Sequence, residues 1–227
     1  PTYAYELAVI IQDGIRRMYG PAQENVYYYI TVMNENYHHP AMPQGAEDGI
    51  RRGIYKLETL TGTKGKVQLL GSGTILNEVR RAAEILSEEY GIASDVYSVT
   101  SFNELARDGQ DCERHNMLHP SEPEKVPYIA QVMGKEPAIA ATDYIKNYVD
   151  QVRAFVPAVS YKVLGTDGFG RSDSRENLRR HFEVNAGYVV LAALRELAKQ
   201  GTIDKQLVAD AIVRFGIDTN KPNPLFA

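Results

Sequence analysis

The spacing of apolar positions divides most of the chain into alternating strands and helices. An apolar run from residue 66 ends in Gly-Ser-Gly, an amphipathic helix follows to residue 90, and SDVYSVTS (94–101) is a second strand candidate. Strands that alternate with helices predict an α/β fold with a mostly parallel sheet and helices on both faces. The remaining predicted elements are a polar helix from 102 into the 110s, strands in PYIAQVM (127–133) and PAIAAT (137–142), a helix at 144–155, a strand at 161–164, and helices at 175–182, 186–200 and 205–215.

The first 35 residues follow a different pattern. A helix is predicted over about 5–19, where Gly20-Pro21 provides the stop signal. The stretch VYYYITVM (26–33) is apolar or aromatic on both faces, which predicts a strand buried on both sides of a sheet. Such a strand needs neighbours, and none is predicted beside it. We therefore expect this part to complete a domain whose other strands lie upstream of Pro1.

Composition narrows the class of partner. The 227 residues carry a net charge of −4, and their basic pairs are scattered, so a nucleic-acid partner is not expected. The single cysteine, Cys112, excludes an internal disulfide and fits a reducing compartment. No apolar run approaches the roughly 20 residues that span a bilayer. We expect a cytoplasmic protein without a membrane partner.

Two glycine-rich loops raise the possibility of a phosphate site. Gly-Ser-Gly (71–73) joins a strand to a helix, but position 76 is Leu where a dinucleotide-binding loop would place its third glycine. The second loop, GTDGFGRSDS (165–174), offers Gly168, Gly170, Ser172 and Ser174 as anion-binding candidates ahead of a helix. One interpretation is therefore a stand-alone α/β module that binds a phosphate or nucleotide at both loops.

A structural interpretation of the second loop is favoured. Asp173 and Glu176 have the D-x-x-E spacing of a capping box, and the glycines would direct the chain into the helix, with Phe169 free to be buried as an anchor. The flanking aspartates, Asp167 and Asp173, would repel an anion, and Arg171 is the only cation in the loop. We expect this loop to position a helix rather than to bind phosphate.

The histidines do not form a recognisable metal motif. His115 and His119 are four residues apart, but Pro120 follows and no Glu comes directly after His115. No metal site is predicted from them. His38 and His39 lie in a Pro-bounded loop, and loops of this kind often carry function. We keep these two as candidates for the rim of an active site.

Several long motifs together identify a family. GTDGFGRSD (165–173), the strand-GSG-helix at 66–90 and the run FNELARDGQDCERHNMLHP (102–120) resemble, in order, the C-terminal domain of the transketolase-like thiamine diphosphate enzymes. Within that family, YYYITVMNENYHHPAMPQG and GIRRGIYKLE are similar to the homodimeric pyruvate dehydrogenases. The resemblance covers essentially the whole chain and implies the three-layer α/β fold of that C-terminal domain.

The resemblance also implies where the chemistry lies. In this family thiamine diphosphate and magnesium bind between an N-terminal and a middle domain, and the cofactor carries the reaction. The family's G-D-G motif does not occur in this chain, and its activating glutamate belongs to the middle domain. The resemblance therefore implies no catalytic, cofactor-binding or metal-binding residue in this span.

The same resemblance implies domain limits and partners. Residues 1–35 would be the last helix and strand of the pyrimidine-binding domain, 36–52 a linker, and 53–227 the C-terminal domain. Expected partners are a second copy of the chain and the dihydrolipoyl acyltransferase component. The parent enzyme would decarboxylate pyruvate and reductively acetylate the lipoyl group, and the isolated chain is expected to be inactive.

Overall fold

A five-stranded mixed sheet with the order β1-β3-β2-β4-β5 lies at the centre of the structure, a computed structural model that describes residues 1–227. Strand β1 is antiparallel to β3, and the other neighbours are parallel. The strands are β1 (Ile54–Leu60), β2 (Lys66–Gly71), β3 (Ala93–Val99), β4 (Ala138–Ala141) and β5 (Tyr161–Leu164). The helices are α1 (Ala4–Tyr19), α2 (Glu47–Arg52), α3 (Ile75–Tyr90), α4 (Phe102–Leu118), α5 (Tyr128–Val132), α6 (Lys146–Asp150), α7 (Arg175–His181), α8 (Ala186–Lys199) and α9 (Lys205–Arg214), with short 3-10 turns at Arg153–Phe155 and Pro224–Phe226.

Both faces of the sheet are covered by helices. Because successive strand residues point to opposite faces, Leu69 and Ile139 pack with α3 and α8, while Leu70 and Ala140 pack with α4, α5 and α6. All four side chains are fully buried. The predicted fold class, a mostly parallel mixed sheet between two helical layers, is confirmed.

The predicted strand at 26–33 is not observed. This stretch has no regular secondary structure, because no strand of the sheet lies beside it. Tyr27 and Tyr29 are 87% and 88% exposed, whereas the Tyr28 hydroxyl donates to Asp13 of α1 at 2.6 Å. The prediction of a doubly buried strand is therefore wrong for the chain as it stands.

Two further predictions differ from the structure. PYIAQVM forms the short helix α5 rather than a strand, since Ile129 and Met133, four residues apart, enter the same core. The predicted helix at 144–155 is interrupted. Helix α6 ends at Asp150, and a 3-10 turn follows.

The predicted linker at 36–52 contains a helix. Its last six residues form α2, where acidic residues in the first turn and arginines in the last suit the helix dipole. Ile50 of this helix is buried against Tyr55 of β1. Strand β1 itself was not predicted, because Lys56 and Glu58 interrupt its apolar run. The limits of the linker stay a prediction, and its last residues are helical rather than irregular.

One buried carboxylate joins three strands. Asp95 of β3 accepts from Thr59 of β1 at 2.6 Å and pairs with Lys66 at 2.7 Å and Lys56 at 3.2 Å. Burial would raise the pKa of Asp95, but the donors Lys66, Thr59 and Lys56 outweigh it and lower the pKa from 3.8 to about 2. The folded state thus favours the ionised form. The resulting stability is present above about pH 4 and is lost as pH falls towards 2.

We predict that Asp95→Asn lowers the free energy of unfolding at pH 7 by about 2 kcal/mol. Chemical denaturation measures this loss, and Asp111→Asn on exposed α4 surface is the matched control. The difference between wild type and Asp95→Asn should shrink as pH falls from about 4 to 2, since Asp95 becomes neutral over that range. A difference that is independent of pH would contradict this account.

Candidate functional site at the carboxyl edge of the sheet

The carboxyl ends of β2, β4 and β5 bring both predicted glycine loops to one edge of the sheet. In open α/β folds ligands bind in the crevice at this edge. Here the buried hydroxyls of Ser72 and Thr142 lie 2.7 Å apart, and the Thr166 hydroxyl donates to the carbonyl of Asp143 at 2.6 Å. Each glycine loop is therefore bonded to the loop that follows β4, which connects the two.

A carboxylate lies at the Gly-Ser-Gly turn. The Thr74 hydroxyl, just before α3, donates to Asp143 Oδ2 at 3.0 Å. Burial raises the pKa of this carboxyl, and the bond from Thr74 opposes that shift. A phosphate at the turn would meet the negative charge of Asp143 instead of a free cation.

Arg179 of α7 is the main cation at this edge, and it is already paired. Its side chain is only 14% exposed and contacts Glu35 and Glu78, the latter at 3.2 Å. Glu78 also accepts from the backbone N–H of Ala186 at 2.9 Å. Arg175 adds a bond to the Asn34 side chain at 2.8 Å. This charge network ties the segment at 34–35 to α3, α7 and α8.

A second buried carboxylate fixes α1 beside the sheet. Glu6 is fully buried and accepts from the backbone N–H groups of Thr2 and Tyr3, from the Tyr55 hydroxyl at 2.6 Å and from the Ser98 hydroxyl at 2.5 Å. Burial and the Glu6 charge together raise the pKa of Tyr55 well above its usual range. Four donors satisfy one carboxylate, which joins α1 to β1 and β3.

The two candidate rim histidines differ in their contacts. His39 Nδ1 accepts from the backbone N–H of Ala4 at 3.0 Å, and its ring stacks on Tyr37 at 4.9 Å. His39 thus satisfies one free donor in the first turn of α1. His38 is exposed. Their role at an active-site rim remains a prediction.

The glycines of the GTDGFG loop differ in how closely the chain packs around them. Gly168 has φ of 99°, and a Cβ there would lie 2.1 Å from the Pro224 carbonyl oxygen, whereas a Cβ on Gly170 would meet nothing. The N-cap is Ser174, which accepts from the Asn177 N–H at 3.3 Å, so the predicted capping box of Asp173 and Glu176 is wrong.

Other contacts in this loop refine the earlier expectations. Phe169, expected to be buried, is 81% exposed. Asp167 accepts from the Lys146 N–H at 2.9 Å and also pairs with its ammonium group. Of the anion candidates, Gly168 packs on the C-terminal turn and the Ser174 hydroxyl is engaged with Asn177, while Gly170 and Ser172 face open solvent. These contacts favour the helix-positioning interpretation.

His115 and His119 stack at 4.5 Å and both approach Glu122, but no group of three or more His, Cys, Asp or Glu residues is arranged to hold a metal ion. No helix is long and apolar enough to cross a bilayer.

The sequence analysis did not identify the charged residues that hold α1 and residues 34–35 against the rest of the structure. Glu6, Glu35 and Arg179 were not singled out from the sequence, because most of their partners lie far away along the chain. For Glu6 a weak local signal existed, since a glutamate three residues after the N-cap can accept from the N-cap backbone N–H, as Glu6 does from Tyr3. Its hydroxyl donors from the sheet could not be inferred locally.

Comparisons with known proteins define the class. The family described as the transketolase-like TK C-terminal domain matches residues 53–185. The chain therefore belongs to the transketolase-like C-terminal domain family. A second family, the pyruvate dehydrogenase E1 component middle domain, matches residues 1–40.

Curated relatives then give the particular protein that the chain resembles. Three of these relatives are pyruvate dehydrogenase E1 components, and the predicted resemblance is confirmed. The Escherichia coli K12 protein is 72% identical over 227 residues, and those of Haemophilus influenzae and Pseudomonas aeruginosa are 62% and 57% identical over 229 and 228 residues. These alignments cover 99–100% of this chain and 26% of each relative, so the chain spans about a quarter of their length.

Solved structures with a similar fold are transketolases. A mutant transketolase from Pichia stipitis aligns with a TM-score of 0.49 and 16% identity, covering 72% of this chain and 20% of that one. The enzyme from Leishmania mexicana aligns with a TM-score of 0.44 and 22% identity, covering 70% and 20%.

The two loop glycines provide a matched test of the helix-positioning interpretation. We predict that Gly168→Ala lowers the free energy of unfolding by roughly 1 to 3 kcal/mol, because the new methyl group meets Pro224 and φ is positive. Gly170→Ala, two residues away in open space, should change it by less than about 0.5 kcal/mol. Thermal and urea unfolding measure both. Equal effects would contradict a packing role for Gly168.

Proposed function

We propose that this chain is the C-terminal part of a thiamine diphosphate-dependent pyruvate dehydrogenase component. The observation that carries the proposal is the 72% identity over every residue of the chain to a pyruvate dehydrogenase E1 component about four times as long. The parent enzyme, in the cytoplasm, decarboxylates pyruvate and reductively acetylates the lipoyl group of the acyltransferase component. Thiamine diphosphate and magnesium act in the parts of the enzyme upstream of this span.

The proposed domain limits follow the two matched families. Residues 1–35 are proposed as the tail of the middle, pyrimidine-binding domain and 53–227 as the transketolase-like C-terminal domain; matches at 1–40 and 53–185 support this division. The connecting residues 36–52 include α2, which packs on β1. The exposed tyrosines at 27 and 29 suit a segment that pairs with strands of the middle domain.

The residues of this chain do not fit the cofactor or its metal. A diphosphate needs free cations or free N–H groups, whereas Arg179 is paired with two glutamates and Asp143 lies at the Gly-Ser-Gly turn. Magnesium needs several oxygen ligands converging on one point, and the acidic residues are not grouped in that way.

The role proposed for this span is structural. It stabilises a dimer with a second copy, shapes the entrance of the active site with His38 and His39 at the rim, and contributes to docking of the acyltransferase component. The buried Glu6 contacts and the Arg179 network support a structural role within the chain, since they hold α1 and residues 34–35 against the sheet and its helices.

A stand-alone phosphate-binding module is the second candidate. It is disfavoured by the same pairing of Arg179 and by the exposed aromatic stretch at 26–33, which a free-standing module would not need. Saturable binding of inorganic phosphate that is abolished by loss of Ser72 would favour it.

We predict that the isolated 227-residue chain neither binds thiamine diphosphate nor decarboxylates pyruvate. Calorimetric titration with the cofactor in the presence of magnesium should give no saturable heat, and a pyruvate consumption assay should give no turnover. The full-length protein, titrated in the same buffer, is the positive control. Saturable cofactor binding by the isolated chain would contradict the proposal that thiamine diphosphate binds upstream of this span.

A further inference from the structure

A cavity of about 190 Å³ lies between the outer edge of the sheet and α8. Its apolar wall comes from Leu164 of β5, from Tyr188, Leu191 and Ala192 of α8, and from Phe182. Lys162 alternates with Tyr161 and Val163 along β5 and therefore points to the same face as Leu164. One end of the cavity is thus apolar, and a lysine stands beside it.

Three cations line this cavity, but only two are neutralised. Lys146 pairs with Asp167 at 3.2 Å, and Arg195 pairs with Glu196 at 2.9 Å. The one acidic lining residue, Glu183, pairs with Lys221 at 3.2 Å. Lys162 alone has no carboxylate within ion-pairing distance.

The environment of Lys162 penalises its charge. Lys162 is exposed to solvent, yet desolvation of its side chain, followed by the nearby charges of Lys146 and Arg195, lowers the pKa of its ammonium. This local excess of positive charge stands out in a chain whose net charge is −4. An anion beside Lys162 would relieve the repulsion and supply the missing partner.

We propose that this cavity binds a small organic carboxylate with a compact apolar body. The carboxylate pairs with Lys162, and the apolar body lies against Leu164 and Ala192. The volume fits a ligand of roughly six to ten non-hydrogen atoms, since a cavity of about 150 Å³ holds benzene. The mixed lining, apolar with a few convergent polar groups, is typical of small-molecule sites. This inference does not depend on the proposed parent enzyme.

Benzoate is a suitable probe, because it combines one carboxylate with a compact ring. We expect titration of the isotope-labelled 227-residue chain, followed by NMR, to give saturable shifts at the amides of Leu164, Tyr188 and Ala192. A ligand of this size should bind with a Kd of roughly 1 to 10 mM. The neutral analogue benzyl alcohol should bind about tenfold more weakly, because it lacks the charge that pairs with Lys162.

A pair of lysine variants tests the role of Lys162. Lys162→Met keeps the length of the side chain and removes a cation from a crowded positive site, so it should fold without loss of stability and bind benzoate about tenfold more weakly. Lys205→Met removes an exposed lysine of α9 that likewise lacks an ion pair, and should leave benzoate binding unchanged. If Lys162→Met does not fold, Lys162→Gln gives the same comparison.

The possible outcomes separate the proposal from a simple anion site. Benzoate binding that is lost in Lys162→Met and kept in Lys205→Met supports the proposal. Equal binding by wild type and the Lys162 variant would overturn it, as would the absence of saturable shifts at millimolar benzoate. Inorganic phosphate that binds as tightly as benzoate would also overturn the assignment of an organic carboxylate, because phosphate cannot use the apolar wall.

Discussion

The position of α1 against the sheet depends on the buried carboxylate of Glu6. An ionised carboxylate taken out of water costs several kcal/mol unless hydrogen bonds replace its hydration. Here two backbone N–H groups from the start of α1 and two hydroxyls from the sheet supply that replacement. The same oxygens thus cap a helix and hold it against β1 and β3, so the N-terminal segment has one favoured position.

The Arg179 network likewise holds residues 34–35 in place. Glu35 pairs with Arg179, which also donates to Thr74, so residues 34–35 lie beside the Gly-Ser-Gly turn at the carboxyl edge. The Glu6 contacts and the Arg179 network both lie at the edge where α/β proteins commonly bind ligands. Internal ion pairs and hydroxyl contacts occupy this edge. In this chain the edge carries contacts between the N-terminal segment and the helices and strands of the sheet.

Much of the fold could be predicted from the sequence because its signals are local. The helix of 75–90 and the strands around it follow apolar spacing, and the order of motifs identified the family. The predictions failed where partners decide the outcome. Residues 26–33 have the composition of a strand but no neighbour to pair with, and PYIAQVM is too short for periodicity to separate a strand from a helix. The contacts of Glu6 and Arg179 were not predicted for the same reason, because burial of a charge depends on residues far away in sequence.

Amide hydrogen exchange tests the central claim most directly. If Glu6 fixes the N-terminal segment on the domain, the amides of Thr2 and Tyr3 and those of α1 should be protected to nearly the same extent as those of β2. Tyr55→Phe, which removes one donor to Glu6, should reduce protection in α1 more than in the sheet, whereas Tyr19→Phe on the exposed side of α1 should not. Exchange of residues 2–19 at the rate of an unfolded chain, with the sheet still protected, would contradict the account.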